Sequence, residues 1–187
     1  GRNNPLLKQV ELITWTAKVD FTASPQVSLN HRSLVFGKEQ WEEYFGDIGI
    51  EPPFPQGIHQ ILSSPCPFWS GKRVCDTHLF VLIPESVNGK PLTLDSLQEL
   101  IANPKKGHKT QYRYYNDDVK KELGNKSTPS HWVLMTKDVI PDSRDKSYKQ
   151  QKKLLSTYTK KSDHSYELPT ALEAVTCILM EYVRSYT

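Results

Sequence analysis

Between Ser63 and Pro84 the chain reads SSPCPFWSGKRVCDTHLFVLIP, which gathers Cys66, Cys75, His78, Lys72 and Arg73 into one short segment. With His59 just upstream, two thiols and two imidazoles fall within 20 residues, the ligand types of a tetrahedral zinc site. The spacing argues against that chemistry. Structural zinc rides on tight pairs such as C-x₂-C, whereas Cys66 and Cys75 stand nine positions apart with Pro67 between them. Only Cys75 and His78 are close, and in an extended chain residues three apart point to opposite faces. No metal is therefore expected at His59, Cys66, Cys75 and His78, and no cofactor.

The same residues suit a cysteine hydrolase, with Cys66 or Cys75 as nucleophile, His78 as base and Asp76 or Asp138 as the orienting carboxylate. A nucleophilic cysteine gains from a helix N-terminus, which lowers its pKa and offers amides to an oxyanion. Pro67 disfavours helical backbone at Cys66 and removes the next N–H, so Cys66 lacks that support. No Gly-rich phosphate loop, G-x-S-x-G elbow, H-E-x-x-H or EF-hand pattern occurs. The bland alternative is a proline-bracketed corner that tucks Phe68 and Trp69 against a sheet and leaves Lys72 and Arg73 at its rim.

A third chemistry is electrostatic. The first hundred residues carry 8 Lys/Arg against 11 Asp/Glu, and the remainder 16 against 10, so the C-terminal half is the basic one. Two stretches there, KKGHKTQYRYY and SRDKSYKQQKKLL, combine cations with tyrosines as nucleic-acid surfaces do. They make Lys105, Lys106, Lys109, Arg113, Arg144, Lys146 and Lys149 candidates for anion binding, the last three beside an expected helix start after Pro141. Against this, Asp142 and Asp145 can satisfy the same amides.

These side chains need elements to position them. VELITWTAKVDF alternates Ile13, Trp15, Ala17, Val19 and Phe21 on one face and predicts a strand. KEQWEEYFGD predicts a short helix with Trp41, Tyr44 and Phe45 on one side, closed by Gly46. Three prolines, Pro52, Pro53 and Pro55, then enforce an extended link to a helical piece near Ile58–Leu62. THLFVLIP is a continuous apolar run, as expected of a strand buried on both faces. Asn88-Gly89 marks a turn, Thr93 caps a helix through TLDSLQELI, and TQYRYY is a candidate strand. Asn116 caps NDDVKKEL, HWVLMT is a second buried strand, and Ser143 is the expected cap of a helix through KSYKQQKKLLSTY with Tyr148, Leu155 and Tyr158 on one face. With Pro169 at the expected helix start, the residues Leu168, Ala171, Leu172, Val175, Ile178, Leu179 and Tyr182 form an apolar stripe flanked by Cys177 and Met180. The interspersed order implies one α+β domain over residues 1–187, a mixed central sheet packed by helices with a long amphipathic helix at its C-terminus.

The 187 residues contain three cysteines, too few and odd for a disulfide framework, and no apolar run of membrane-spanning length. The N-terminal GRNNPLLKQVEL lacks the apolar core of a secretory signal, so neither a signal peptide nor a membrane partner is expected.

Two long segments, WEEYFGDIGIEPPFPQGIHQILSSPCPFWSGKRVCDTHLFVLIP and SHWVLMTKDVIPDSRDKSYKQQKKLL followed by YELPTALEAVTCILMEYVRS, resemble an uncharacterised domain of proteins from chlamydia-like, amoeba-associated intracellular bacteria. There it can accompany leucine-rich repeats. The resemblance spans Trp41 to the end, carries no functional residues across, and does not hold the Cys75 position as cysteine. It implies a bacterial cytoplasmic location or delivery to a host cell, and continuation past Thr187 as part of a longer protein. The resulting expectation is a recognition domain that binds a protein or an anionic polymer. The alternatives are the cysteine hydrolase and nucleic-acid binding through the basic half.

Overall fold

The computed structural model describes residues 16–20, 34–114 and 116–185. Its centre is the predicted continuous apolar run, now strand β3 (His78–Ile83), paired antiparallel with β6 (His131–Thr136) from His78 opposite Thr136 to Ile83 opposite His131. Three two-residue strands complete the sheet: β2 (Val35–Phe36) runs parallel to β3, while β1 (Lys18–Val19) lies between β6 and β7 (Tyr166–Glu167), giving the order β2-β3-β6-β1-β7. Every residue of β3 is buried, which is why its sequence shows no polar alternation.

The two faces of the sheet differ in chemistry. His78, Phe80 and Leu82 share one face with Trp132 and Leu134, by strand alternation and by register. On it Phe80 stacks on Trp132 at 4.8 Å and Phe54 sits 4.7 Å from Trp132. Leu79, Val81 and Ile83 lie on the other face with Val133 and Met135, covered by helix α7 (Ala171–Arg184). The buried indole N–H groups are satisfied: Trp41 Nε1 donates to the Leu82 carbonyl at 2.9 Å and Trp132 Nε1 to that of Pro52 at 2.8 Å. Leu82 is fully enclosed, so truncation to Ala would cost about 2–5 kcal/mol.

Around the sheet stand α1 (Lys38–Tyr44), α2 (Ile58–Ser63), the single turn α3 (Val74–Thr77), α4 (Leu94–Ala102), α5 (Asp117–Leu123) and α6 (Tyr148–Thr159). The expected caps at Thr93 and Asn116 form, each oxygen accepting an amide N–H at the third helical position. Asn88 and Gly89, at φ 51° and 75°, make the turn of a hairpin between β4 (Ser86–Val87) and β5 (Lys90–Pro91). None of the described helices is long and apolar enough to cross a membrane. The α+β architecture with its mixed sheet is the one the sequence implied.

Four expectations are corrected. Residues 110–114 of the expected TQYRYY strand form no strand; α4 takes their polar groups instead, with the Thr110 N–H donating to the Ile101 carbonyl, Gln98 Nε2 to that of Tyr112, and the Tyr114 hydroxyl to Asp95 at 2.6 Å. Ser143 does not cap α6; it is buried and its hydroxyl donates to the Ile140 carbonyl, while Ser147 and Gln150 form the capping box. Tyr148 lies on the same side of α6 as Leu155 by helical spacing but, as the first residue of the helix, stands in solvent, 63% exposed. On α7 the buried stripe is rotated: Cys177 and Met180 are fully enclosed, whereas Val175, Ile178 and Tyr182 are half-buried. The predicted strand over residues 10–21 is described only at residues 16–20, where Ala17 and Val19 are buried as expected.

Candidate functional site

The segment from Ser64 to Val74 folds as a tight hairpin. The Cys66 N–H donates to the Lys72 carbonyl at 2.8 Å, the Val74 N–H to that of Ser64 at 3.0 Å, and Pro65 bridges Arg73 between them. At the tip the Lys72 N–H reaches the Trp69 carbonyl across Gly71, whose φ of 74° is the left-handed conformation that such a turn requires of its third residue. Phe68 points inward and anchors the loop, 4.8 Å from the rings of both Tyr158 and Tyr166, while Trp69 stays half-buried and Lys72 and Arg73 exposed. The corner reading of this stretch therefore describes its geometry.

His78 sits beneath the corner, fully buried. The Thr77 hydroxyl has carbonyls of Arg73 and Val74 as acceptors at 3.1 and 3.3 Å, which leaves it to receive the proton of His78 Nδ1 at 2.9 Å. That fixes the tautomer, so Nε2 accepts from the Tyr166 hydroxyl at 3.2 Å. Burial, opposed by the Val74 carbonyl and reinforced by nearby Lys137, pulls the His78 pKa down to about 3 and keeps the ring neutral. Both ring nitrogens are thus engaged by hydroxyls, and neither thiol is among their partners.

The cysteines are dispersed. Cys66 is buried in the hairpin, Cys75 is half-buried on α3 with its thiol 3.7 Å from Asp76, and Cys177 is enclosed in α7, where burial pushes its pKa up. Asp76 turns back onto its own helix, accepting the Arg73 N–H at 3.1 Å, an interaction that holds its carboxyl below the ordinary range. His59 is half-buried on α2. Among the described residues no three His, Cys, Asp or Glu side chains gather in a way that could hold a metal ion.

The basic candidates divide. Lys106 is paired with Glu43 of α1 at 2.5 Å, and Lys105 Nζ reaches the Glu42 carbonyl at 3.4 Å, so the first group is drawn onto α1. Lys109 and Arg113 are exposed on the segment that follows. The helix start expected after Pro141 is instead an irregular loop with Asp142 and Asp145 at φ 60° and 59° and Arg144 exposed. Lys146 and Lys149 belong to the α6 region, where the span 146–162 holds six lysines and no acid. Its inward side chains are Gln151 and Leu155; Lys149, Lys152, Lys153, Lys160 and Lys161 are exposed, and among the described residues none of them lies within ion-pair distance of a carboxylate. Lys152 Nζ rests 4.7 Å over the exposed Tyr148 ring. The full extent of this face was missed in the sequence, although the acid-free run was there to be counted.

Two further features were not anticipated. One is a cleft of about 470 Å³ between the hairpin tip and the end of β6, lined by Phe68, Trp69, Lys72, Asp76, Lys137 and Asp138. The other is a buried charge cluster in which Glu173 of α7 meets Lys18 of β1 and His131 of β6. Comparison with protein-family models, with curated proteins and with solved structures finds no match in any of the three.

Proposed function

We propose that this is a non-enzymatic recognition domain that engages an anionic polymer through the exposed face of α6. The observation that carries this reading is the run of lysines on α6 without a single neutralising acid, beside a solvent-exposed tyrosine. Lys106 and Arg184, by contrast, are paired with Glu43 and Glu181. Clustered like charge on one rigid helix raises its own electrostatic free energy, and a polyanion relieves it by releasing counterions. The sequence resemblance adds a setting, an intracellular bacterium or its host cell, and assigns no residue roles. Chromatography on immobilised heparin tests the reading: the wild-type chain should be retained at low salt, and Lys149→Glu/Lys152→Glu/Lys153→Glu should elute far earlier. Equal retention of the two proteins would refute it.

A further inference from the structure

We propose that the cleft between the 64–74 hairpin and the end of β6 binds a nucleotide, with its base against Trp69 and its phosphate between Lys72 and Lys137. This stands apart from the α6 reading, since it uses different residues. The cleft is within the usual range for small-molecule sites and combines an aromatic wall with a few convergent polar groups.

The chemistry of the lining selects the ligand class. Lys72 comes from the hairpin and Lys137 from the residue after β6, and among the described residues neither ammonium is within ion-pair distance of a carboxylate. Asp76 is occupied by the Arg73 backbone and guanidinium. Asp138 is exposed and placed to accept from an N–H donor of a ligand, as carboxylates do from the amino group of cytosine. A simple inorganic anion would leave the Trp69 ring and Asp138 unused, and an apolar ligand would leave both ammoniums unused. A planar base bearing an amino group and joined to a phosphate engages all of them.

The walls are pre-organised, which limits the entropy lost on binding. Trp69 and Lys72 flank the Gly71 turn, and Phe68 fastens the hairpin to Tyr158 and Tyr166 beneath. Lys137 is held by its N–H to the Thr77 carbonyl at 2.9 Å and by its ammonium 3.4 Å from the Asp76 carbonyl. Because Tyr158 belongs to α6, the cleft adjoins that helix, so the nucleotide can be either a free molecule or one unit of a single strand.

Titrating the full chain with CMP, and separately with a ten-nucleotide oligo-dC, by calorimetry tests the proposal. CMP should bind with Kd below about 1 mM, and Trp69→Leu should weaken it about tenfold, the order of a lost base–aromatic stack. Trp69→Phe should restore most of that loss, which separates stacking from a folding defect. Lys72→Ala and Lys137→Ala, both at exposed positions, should each weaken CMP severalfold. An oligonucleotide that binds no tighter than CMP identifies a free nucleotide as the source. One that binds over tenfold tighter, with the excess removed by Lys149→Glu/Lys152→Glu, identifies a strand. If the α6 reversal leaves oligonucleotide affinity unchanged, the α6 reading fails while CMP binding still supports the cleft. Absence of CMP binding, or binding indifferent to Trp69→Leu, Lys72→Ala and Lys137→Ala, overturns the proposal.

Discussion

His131 Nε2 lies 2.9 Å from the Glu173 carboxylate oxygen that also receives Lys18 Nζ at 2.7 Å. The other oxygen of Glu173 accepts the Thr170 N–H at 2.7 Å, so one carboxylate closes the capping box of α7 and ties that helix to β1 and β6. Burial pushes the Glu173 pKa up, but the hydrogen bonds from His131, Lys18 and Thr170 outweigh it and hold the group at about 2. For Lys18 burial acts downward and the bonds to Glu173 and Glu167 prevail, leaving it raised.

The Glu173 hydrogen bond, against burial and the Lys18 charge, raises His131 above its ordinary 6.5. A group that holds its proton more tightly when folded stabilises fully below the unfolded value and loses that contribution as pH rises through the folded one. The destabilisation caused by His131→Gln, read as a difference in Tm, should therefore be largest below pH 6.5 and shrink in alkaline solution. A difference that grows with pH would contradict the pairing. Glu173→Ala should cost about 1–3 kcal/mol in chemical denaturation near pH 7, because it removes the acceptor of the Thr170 N–H and leaves Lys18 with Glu167 alone.

His78 carries the opposite sign. Its folded pKa near 3 means that the unfolded chain takes up a proton the native chain refuses, so its contribution is complete above about pH 6.5 and is lost as pH falls toward 3. Its C2 proton resonance should stay at the neutral position between pH 8 and pH 5. Tyr166→Phe leaves Nε2 without a donor and should cost about 1–3 kcal/mol. A His78 titration midpoint near 6.5 would show that the ring is not sealed.

Thiol reactivity follows from burial. At neutral pH a thiol reagent should label Cys75 first at an ordinary rate, with Cys66 and Cys177 reacting only on unfolding. Rapid labelling of Cys66 in the native protein would instead reopen nucleophilic chemistry at the corner.

Gly107 has φ 84°, and a Cβ there would collide with the Val183 carbonyl and crowd Tyr44. Gly107→Ala should lower stability by about 1–3 kcal/mol, through left-handed strain together with displacement of α7. A change under about 0.5 kcal/mol would mean that the 104–108 loop yields freely.

What the sequence disclosed is what short-range physics controls. β3 and β6 were legible because central strands need no polar alternation, and the caps at Thr93 and Asn116 because a side-chain oxygen followed by a helical pattern acts within three residues. TQYRYY misled because β-favouring residues are equally able to lie along a helix that supplies their hydrogen bonds. Ser143 and Ser147 are both plausible caps, and the choice depends on the burial of Ser143 beneath the preceding loop. The Glu173 cluster had no local signal at all, since its partners stand 155 and 42 residues away. The nucleotide-sized cleft is likewise assembled from segments about 65 residues apart, and the acid-free span of α6 was readable but was set beside a Lys105–Lys106 group that α1 draws in.

The central claim, that α6 is a polyanion-binding face, is tested most directly by the salt dependence of affinity for a labelled heparin oligosaccharide and a labelled oligonucleotide. For the oligonucleotide, three or four lysine contacts predict a log–log slope of about −2 to −3, and Lys149→Glu/Lys152→Glu/Lys153→Glu should flatten it toward zero for both probes. A slope that is already flat in the wild-type chain, a reversal without effect, or a Kd weaker than about 10⁻⁴ M for both polyanions at physiological salt would contradict the account.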